Sequence, residues 1–371
     1  MGESTKTILT VIGARPQWMK AAALSRVLAR PEWGISERIV HTGQHTSHAM
    51  AGQFMEELAL PKAHHVLNVS SEPAIRMGQM MEGVMKAIQL DAPDAVLLYG
   101  DTDSTLAGAW AAARCGVPAV HVEAGLRSYD RRMPEEINRI LTDQLSDVLF
   151  CPSESAVECL RKEGISNGAR MGLIVESVGD LMLDTARYVG GHPTEISAAA
   201  HSVLLTLHRP SNVDEPERLK RWISTLGAAA LQRRWQVIFP VHPRTEKTLH
   251  RAYGEGWSDV LQANGFQLHE PASYSQMLKW LSEVRQVWTD SGGLQKEAFF
   301  MHRPALILRE TSEWTELIEG GYARLCPQPE HLDSAIEWAN GSTSRDWDLP
   351  LYGDGRAAER MTKTLQAWLN R

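Results

Sequence analysis

Short apolar runs alternate along the chain with longer amphipathic stretches, and turn residues separate the two. Thr7–Ile12, Arg38–Thr42, Ala95–Tyr99, Pro118–Glu123, Val148–Cys151 and Leu173–Val178 read as buried strands. Between them the spacing predicts helices over Gln17–Arg30, Pro73–Leu90 and Ser104–Cys115. Pro134, followed by acidic residues, suits a further helix start, where a missing N–H costs nothing and the macrodipole favours negative charge. A second series begins at Val203–Thr206 and continues with Val237–Val241, Phe266–His269, Gln286–Thr289 and Ala305–Leu308. The alternation implies βαβ units and an α/β chain of two doubly wound parallel sheets, with a cleft between the two domains. Tyr188–Ala199, with its glycine pair, Pro193, Thr194 and Ser197, reads as the linker. The domains are therefore expected at 1–187 and 200–352. After a loop at Leu349–Gly355, a last helix over Arg356–Leu369 ends the chain. No repeat of solenoid period and no low-complexity tract interrupts this plan.

Between Tyr99 and Arg139 an acidic residue stands three times where an apolar run gives way to a turn or helix start. Asp101 follows Ala95–Tyr99, Glu123 follows Pro118–Val122, and Glu135–Glu136 follow Pro134. The carboxyl ends of parallel strands line one crevice, and ligands bind there. Carboxylates gathered in that crevice suit proton transfer or hydroxyl recognition better than packing.

Composition narrows the classes. With 371 residues, 43% of them hydrophobic, the chain exceeds one small core and suits two globular units. A net charge of −7 with scattered Lys and Arg offers no basic face for nucleic acid, although a local cationic pocket remains open. Cys115, Cys151, Cys159 and Cys326 show neither metal spacing nor a disulfide framework, so a reduced, cytoplasmic setting is expected. No run has the length of a signal peptide core or a membrane span, and no membrane partner is expected.

Further constellations bear on ligands. Gly13-Ala14-Arg15-Pro16 with Lys20 reads as a diphosphate clamp at a helix start, or equally as a solvated charge pair there. It lacks the glycine fingerprint of a dinucleotide site. Thr289-Asp290-Ser291-Gly292-Gly293 is sharper: the N–H groups of Ser291–Gly293 can bind phosphate oxygens, and Glu297 can accept from ribose hydroxyls. An ordinary tight turn with an exposed Glu297 is the competing reading. His208-Arg209 and His242-Pro243-Arg244 each follow a strand, as catalytic or as structural groups. His41, His45 and His48 lack a partner motif, so no metal is expected. The twelve tryptophans lie apart and form no stacking stripe for nucleic acid.

These blocks together resemble the non-hydrolysing UDP-N-acetylglucosamine 2-epimerases. The resemblance runs in order from GARPQ at Gly13 through TGQH, YGDTDSTLAG, HVEAGLRS, MPEEINR, TLHR, VHPRT and TDSGGLQKEA to LYGDG. It implies a GT-B-like fold of two Rossmann-like domains, with the last helix (353–371 with its approach) returning to the first domain. It also implies a homodimer, a UDP-sugar substrate, and neither metal nor nicotinamide cofactor. Position by position, it implies that Arg15 and Lys20 contact substrate phosphates or sugar, with Asp101, Glu123 and Glu135 as catalytic carboxylates. Arg139 would be a supporting cation and His208 a catalytic histidine, with Arg209 beside it favouring the departing UDP. Ser291, Gly292, Gly293 and Glu297 would hold diphosphate and ribose, and His242 and Arg244 would lie near the nucleotide.

The implied reaction expels UDP from C1 while a base removes the C2 proton, and UDP then returns with the proton delivered to the opposite face. Two faces require more than one carboxylate, with pKa values pushed apart. The sequence departs from the family pattern in two places. Trp314 stands where TERPE carries arginine, and the activator segment reads Gln44-His45-Thr46-Ser47-His48. Together with Arg131-Arg132, these changes resemble relatives that epimerise UDP-2,3-diacetamido-glucuronate, whose carboxylate suits extra cations. A solvated loop pair is the other reading of Arg131-Arg132. A retaining glycosyltransferase on the same fold, or a nucleotide-sugar sensor without catalysis, are the further alternatives.

Overall fold

The computed structural model describes residues 5–44, 58, 60–196, 200–341 and 345–371. The chain divides into two compact units, Met1–Tyr188 with Pro350–Arg371, and Val189–Leu349.

The first unit is built on a sheet of β1 (Lys6–Ile12), β2 (Ile35–His41), β3 (His65–Val66), β4 (Ala95–Tyr99), β5 (Ala119–Val122), β6 (Val148–Cys151) and β7 (Ile174–Ser177). Its order is β3-β2-β1-β4-β5-β6-β7, with every pairing parallel. Every residue of β4, β5 and β6 is buried, as strands covered on both faces require. The order reverses between β1 and β4, so the loops at Gly13 and Gly100 open on the switch point where doubly wound sheets bind ligands.

The second unit carries β8 (Ser202–Thr206), β9 (Gln236–Pro240), β10 (Phe266–His269), β11 (Gln286–Thr289), β12 (Ala305–Ile307) and β13 (Ala323–Leu325) in the order β10-β9-β8-β11-β12-β13. Its core gathers Leu205, Trp222, Phe239, Trp288 and Leu306. The switch point lies between β8 and β11, where Leu207–Arg209 and Asp290–Gly293 leave the sheet. β3 and β13, of two and three residues, have no counterpart in the sequence reading. Of the expected linker Tyr188–Ala199, Tyr188 closes the Leu181–Tyr188 helix of the first unit, and residues 189–196 belong to the second. Buried Arg303 holds them there, donating to the Thr194 carbonyl at 2.8 Å and hydroxyl at 2.7 Å.

The tail returns to the first unit, where the Ala357–Leu369 helix packs on the Arg15–Leu28 and Leu181–Tyr188 helices. Asp184 accepts from the first two amides of that helix, Ala357 at 3.1 Å and Ala358 at 2.8 Å. Upstream, Gly179 and Gly353 bring two backbones together. A Cβ on Gly179 would lie 2.8 Å from the Tyr352 carbonyl oxygen, and φ there is +92°.

Candidate active site

The first cluster sits at the ends of β4 and β5 in the first unit. β4 ends in Gly100-Asp101, and Asp103–Cys115 then forms a helix capped by Thr102. Asp101 receives Arg139 Nη2 at 2.5 Å. Its carboxyl is pushed up by burial and by Glu123 and Glu135, while Arg139 and Lys20 pull it down. Glu123 follows β5 directly with φ +71°, and Lys20 of the Arg15–Leu28 helix forms an ion pair with it. The two side chains are only 12% and 11% exposed. A recess beside this pair is lined by Val122, Pro152, Asp180, Leu181 and Met361.

The acidic pair after Pro134 divides its labour. Glu136 is buried and accepts from the Ser128 amide at 2.8 Å, the Ser128 hydroxyl at 2.9 Å, the Tyr129 amide at 3.0 Å and Arg139 Nη1 at 3.0 Å. Burial raises its carboxyl, but these donors outweigh that and hold it below the usual range. Glu136 therefore fixes Arg139 and the preceding loop, while Glu135, half-buried on the first helical turn, adds its charge to the field at Asp101. Asn138, not singled out from the sequence, donates to the Asp101 carbonyl at 3.0 Å and to Asp103 at 3.2 Å. Its position one turn beyond Glu135 was the available signal.

Two neighbouring expectations meet a different environment. A Cβ on Gly13 would lie 2.1 Å from both the Thr42 and Ser104 hydroxyls, so this glycine makes room for the protein's own side chains. The Gly13 and Ala14 amides donate to Gln17 Oε1 at 2.8 and 2.9 Å, not to an open anion site. Arg15 opens the helix, but its side chain, like His45 and His48, lies outside the described residues. Gln44 accepts from the Ser104 amide at 3.1 Å and hydroxyl at 2.6 Å. The exposed Arg132 pairs with Asp130 at 2.8 Å, and its neighbour Arg131 is exposed too.

The second cluster belongs to the other unit. Fully buried Asp290 accepts from the His208 amide at 2.9 Å, the Arg209 amide at 2.8 Å and Asn212 at 3.2 Å, and its Oδ1 lies 3.3 Å from His208 Nδ1. Burial lowers His208, Asp290 opposes, and Arg209, Arg244 and Arg309 lower it further. The His208 and His242 rings lie 5.3 Å apart, and His242, also lowered by burial and then by His208, caps the Pro243–Tyr253 helix. Arg244 makes a bidentate pair with Asp214 at 2.7 and 2.8 Å.

Ser291 stands at the N-terminal boundary of the Gly292–Phe300 helix without a side-chain capping bond. A Cβ on Gly292 would lie 2.4 Å from Glu313 Oε1, and one on Gly293 would meet open space. Glu313 is paired with Arg309 at 2.9 Å. Glu297 is buried in this helix, one turn from its start. Lys296 lies 4.0 Å above the Trp314 ring, and Trp314 Nε1 donates to the Gly292 carbonyl at 3.0 Å. Trp314 thus packs against the helix start. Among the described residues no group of three His, Cys, Asp or Glu side chains is arranged to hold a metal ion.

Comparison with known proteins adds the context. Residues 28–366 match the model of the UDP-N-acetylglucosamine 2-epimerase family. The UDP-2,3-diacetamido-2,3-dideoxy-D-glucuronate 2-epimerase of Pseudomonas aeruginosa is 40% identical over 96% of this chain and 99% of that protein. The UDP-N-acetylglucosamine 2-epimerase of Methanocaldococcus jannaschii is 35% identical over 96% of this chain and 97% of its own. A crystal structure of the Methanocaldococcus jannaschii UDP-GlcNAc 2-epimerase with UDP-GlcNAc and UDP matches with a TM-score of 0.82 at 34% identity, covering 98% of this chain and 100% of that one. The two Rossmann-like parallel sheets are those of a GT-B-like α/β chain.

Proposed function

We propose, because this chain belongs to the UDP-N-acetylglucosamine 2-epimerase family, that it interconverts UDP-N-acetylglucosamine and UDP-N-acetylmannosamine by inverting C2 of the sugar. One observation carries the reading: Asp101 stands in a field of two further carboxylates and two cations, with burial holding its carboxyl above the ordinary range. C2 of an acetamido sugar has no adjacent carbonyl, so enolisation cannot acidify its proton. Expulsion of UDP from C1 breaks the C1–O bond, loss of the C2 proton leaves a glycal, and re-addition of UDP delivers a proton to the other face. Asp101, Glu123 and Glu135 are the acids and bases of both steps, with Arg139 and Lys20 setting their charge. In the second unit, Arg209 and the amides at Ser291–Gly293 take the departing diphosphate, Glu297 the ribose, and His208 and His242 with Arg244 flank the nucleotide.

A second substrate reading, UDP-2,3-diacetamido-2,3-dideoxy-glucuronate, draws support from the relative at 40% identity and from the cations Arg131 and Arg132, which suit a uronate. The protein is proposed as a cytoplasmic homodimer. The four thiols are free, and no described helix is long and apolar enough to cross a membrane. Exposed Ile137 and Leu141, one turn apart, and Trp110 on the adjoining helix provide apolar surface for a second copy. Incubation with each UDP-sugar in heavy water is the test. Deuterium at C2 together with the epimer is expected for one of them, and the absence of both signals from both sugars overturns the proposal.

A further inference from the structure

The HVEAGLRS block contributes one carboxylate to the proposed chemistry, yet its histidine and arginine are the more deeply buried. His121 on β5 is fully buried, as is Asp143 on the Pro134–Leu145 helix. His121 Nε2 lies 2.7 Å from the Gly100 carbonyl oxygen, and Nδ1 lies 2.7 Å from Asp143 Oδ1. The other oxygen of Asp143 meets Arg127 Nη1 at 2.7 Å and the Gly125 amide at 3.3 Å. Arg127 in turn grips Glu163 through two bonds of 2.7 Å. Burial lowers the guanidinium, but Glu163 and Asp143 outweigh it and leave the group above its ordinary range.

A carbonyl oxygen only accepts, so Nε2 carries a hydrogen. On the other side of the ring Asp143 bonds Nδ1 through Oδ1, while its Oδ2 accepts from the guanidinium and the Gly125 amide. His121, Asp143 and Arg127 then form a buried chain, anchored at its outer end by Glu163, in which each polar atom facing the next is satisfied.

The place of this chain in the fold gives it a task. Gly100 is the residue before Asp101, and its peptide is bound twice by β5: its amide donates to the Val122 carbonyl at 3.0 Å, and its carbonyl accepts from His121. On the same strand Val122 precedes Glu123, and a Cβ on Gly100 would lie 3.3 Å from Glu123 Oε2. We infer that His121 is a positioning residue that sets the spacing of Asp101 and Glu123 by clamping the Gly100 carbonyl, with Asp143 and Arg127 holding the ring in place. The inference rests on the proposed epimerase reading for what the two carboxylates do. It touches no ligand itself and predicts an effect on the chemical steps, not on nucleotide binding.

The experiment compares wild type with His121→Gln, which keeps a side-chain donor. Misplacing a catalytic group by about 1 Å costs about 100-fold, so kcat falls by about that factor. KM and the dissociation constant for UDP stay within about twofold, because the diphosphate groups of the proposal lie in the other unit, and C2 deuterium exchange falls in step with kcat. Asp143→Asn, which keeps the side-chain volume, shows the same split and serves where the first variant fails to fold. In wild type, the His121 Nε2–H gives a slowly exchanging ring resonance by nitrogen-edited NMR. Unchanged kcat in a folded variant, loss of UDP affinity matching the loss of kcat, or absence of a protected Nε2–H resonance overturns the inference. Failure of wild type on both UDP-sugars would instead overturn the epimerase reading, while the Nε2–H resonance still tests the clamp.

Discussion

Lys20→Met separates two roles for one cation. As a phosphate clamp, Lys20 would bind the leaving nucleotide, and its loss would weaken UDP binding. The structure instead spends its ammonium on Glu123, in a pair whose side chains are 11% and 12% exposed. Removing one partner of a fully buried pair costs about 3–5 kcal/mol, and the residual exposure brings the expectation to about 2–3 kcal/mol. That is a loss of folding stability, about 4–12 °C in melting temperature, and kcat falls as well because Glu123 loses the cation that fixes it. The sign of the pH effect follows from Asp101. Burial raises its carboxyl first, and Lys20 is one of the two groups that pull it back, so the variant raises it further. The acid limb of the kcat profile therefore moves to higher pH. Epimerisation followed across pH, with UDP titrated calorimetrically into the same samples, is the assay. A large loss of UDP affinity with kcat intact would refute the pairing argument and restore the clamp.

Three further outcomes test the surrounding structure. Asp184 is pushed up to about 6, first by burial and then by Asp180, against the Ala357 and Ala358 amides. Its contribution is therefore full below about pH 4 and lost as pH rises through 6; two units are worth about 3 kcal/mol, or about 2 after screening. Asp184→Asn should flatten the melting-temperature profile between pH 4 and 7, and superimposable slopes would contradict this. Glu136→Gln removes one acceptor oxygen and the charge facing Arg139, costing about 1–3 kcal/mol of stability and lowering kcat; a variant with unchanged melting and turnover speaks against the division of labour in the acidic pair. Gly179→Ala must displace the Tyr352 carbonyl and adopt a strained φ, so it should cost at least about 2 kcal/mol, near 5 °C in melting temperature, with the tail helix exchanging its amides first.

The strands and the acidic residues at their ends were legible because a buried parallel strand is an apolar run and its end is a sudden change of polarity. Glu135 and Glu136 were not separable, since adjacent helical residues differ only in the direction they point, and Ser128 and Tyr129 supply the donors that commit one of them. The Lys20–Glu123 pair was not legible because its members lie 103 residues apart in the chain. The same holds for Arg244 and Asp214, separated by 30 residues. Chain position predicts which end of the sheet a residue reaches. Which neighbour neutralises it depends on contacts that no local pattern records.

Those contacts explain how a strained backbone persists at the candidate site. Glu123 is a non-glycine residue at φ +71°, a conformation that costs on the order of 1–2 kcal/mol for a side chain of this kind. Its own amide and that of Ala124 both donate to the Phe150 carbonyl at 3.0 Å, and the following Gly125 amide reaches Asp143. The turn is thus held from β6 on one side and from the buried His121–Asp143–Arg127 chain on the other. Relaxing Glu123 would break bonds to at least two buried partners, each worth about 1–3 kcal/mol when left unsatisfied, so the strained form is the cheaper state. The carboxylate is aimed by the protein interior, which is the condition for electrostatic groups to act without reorganising during reaction.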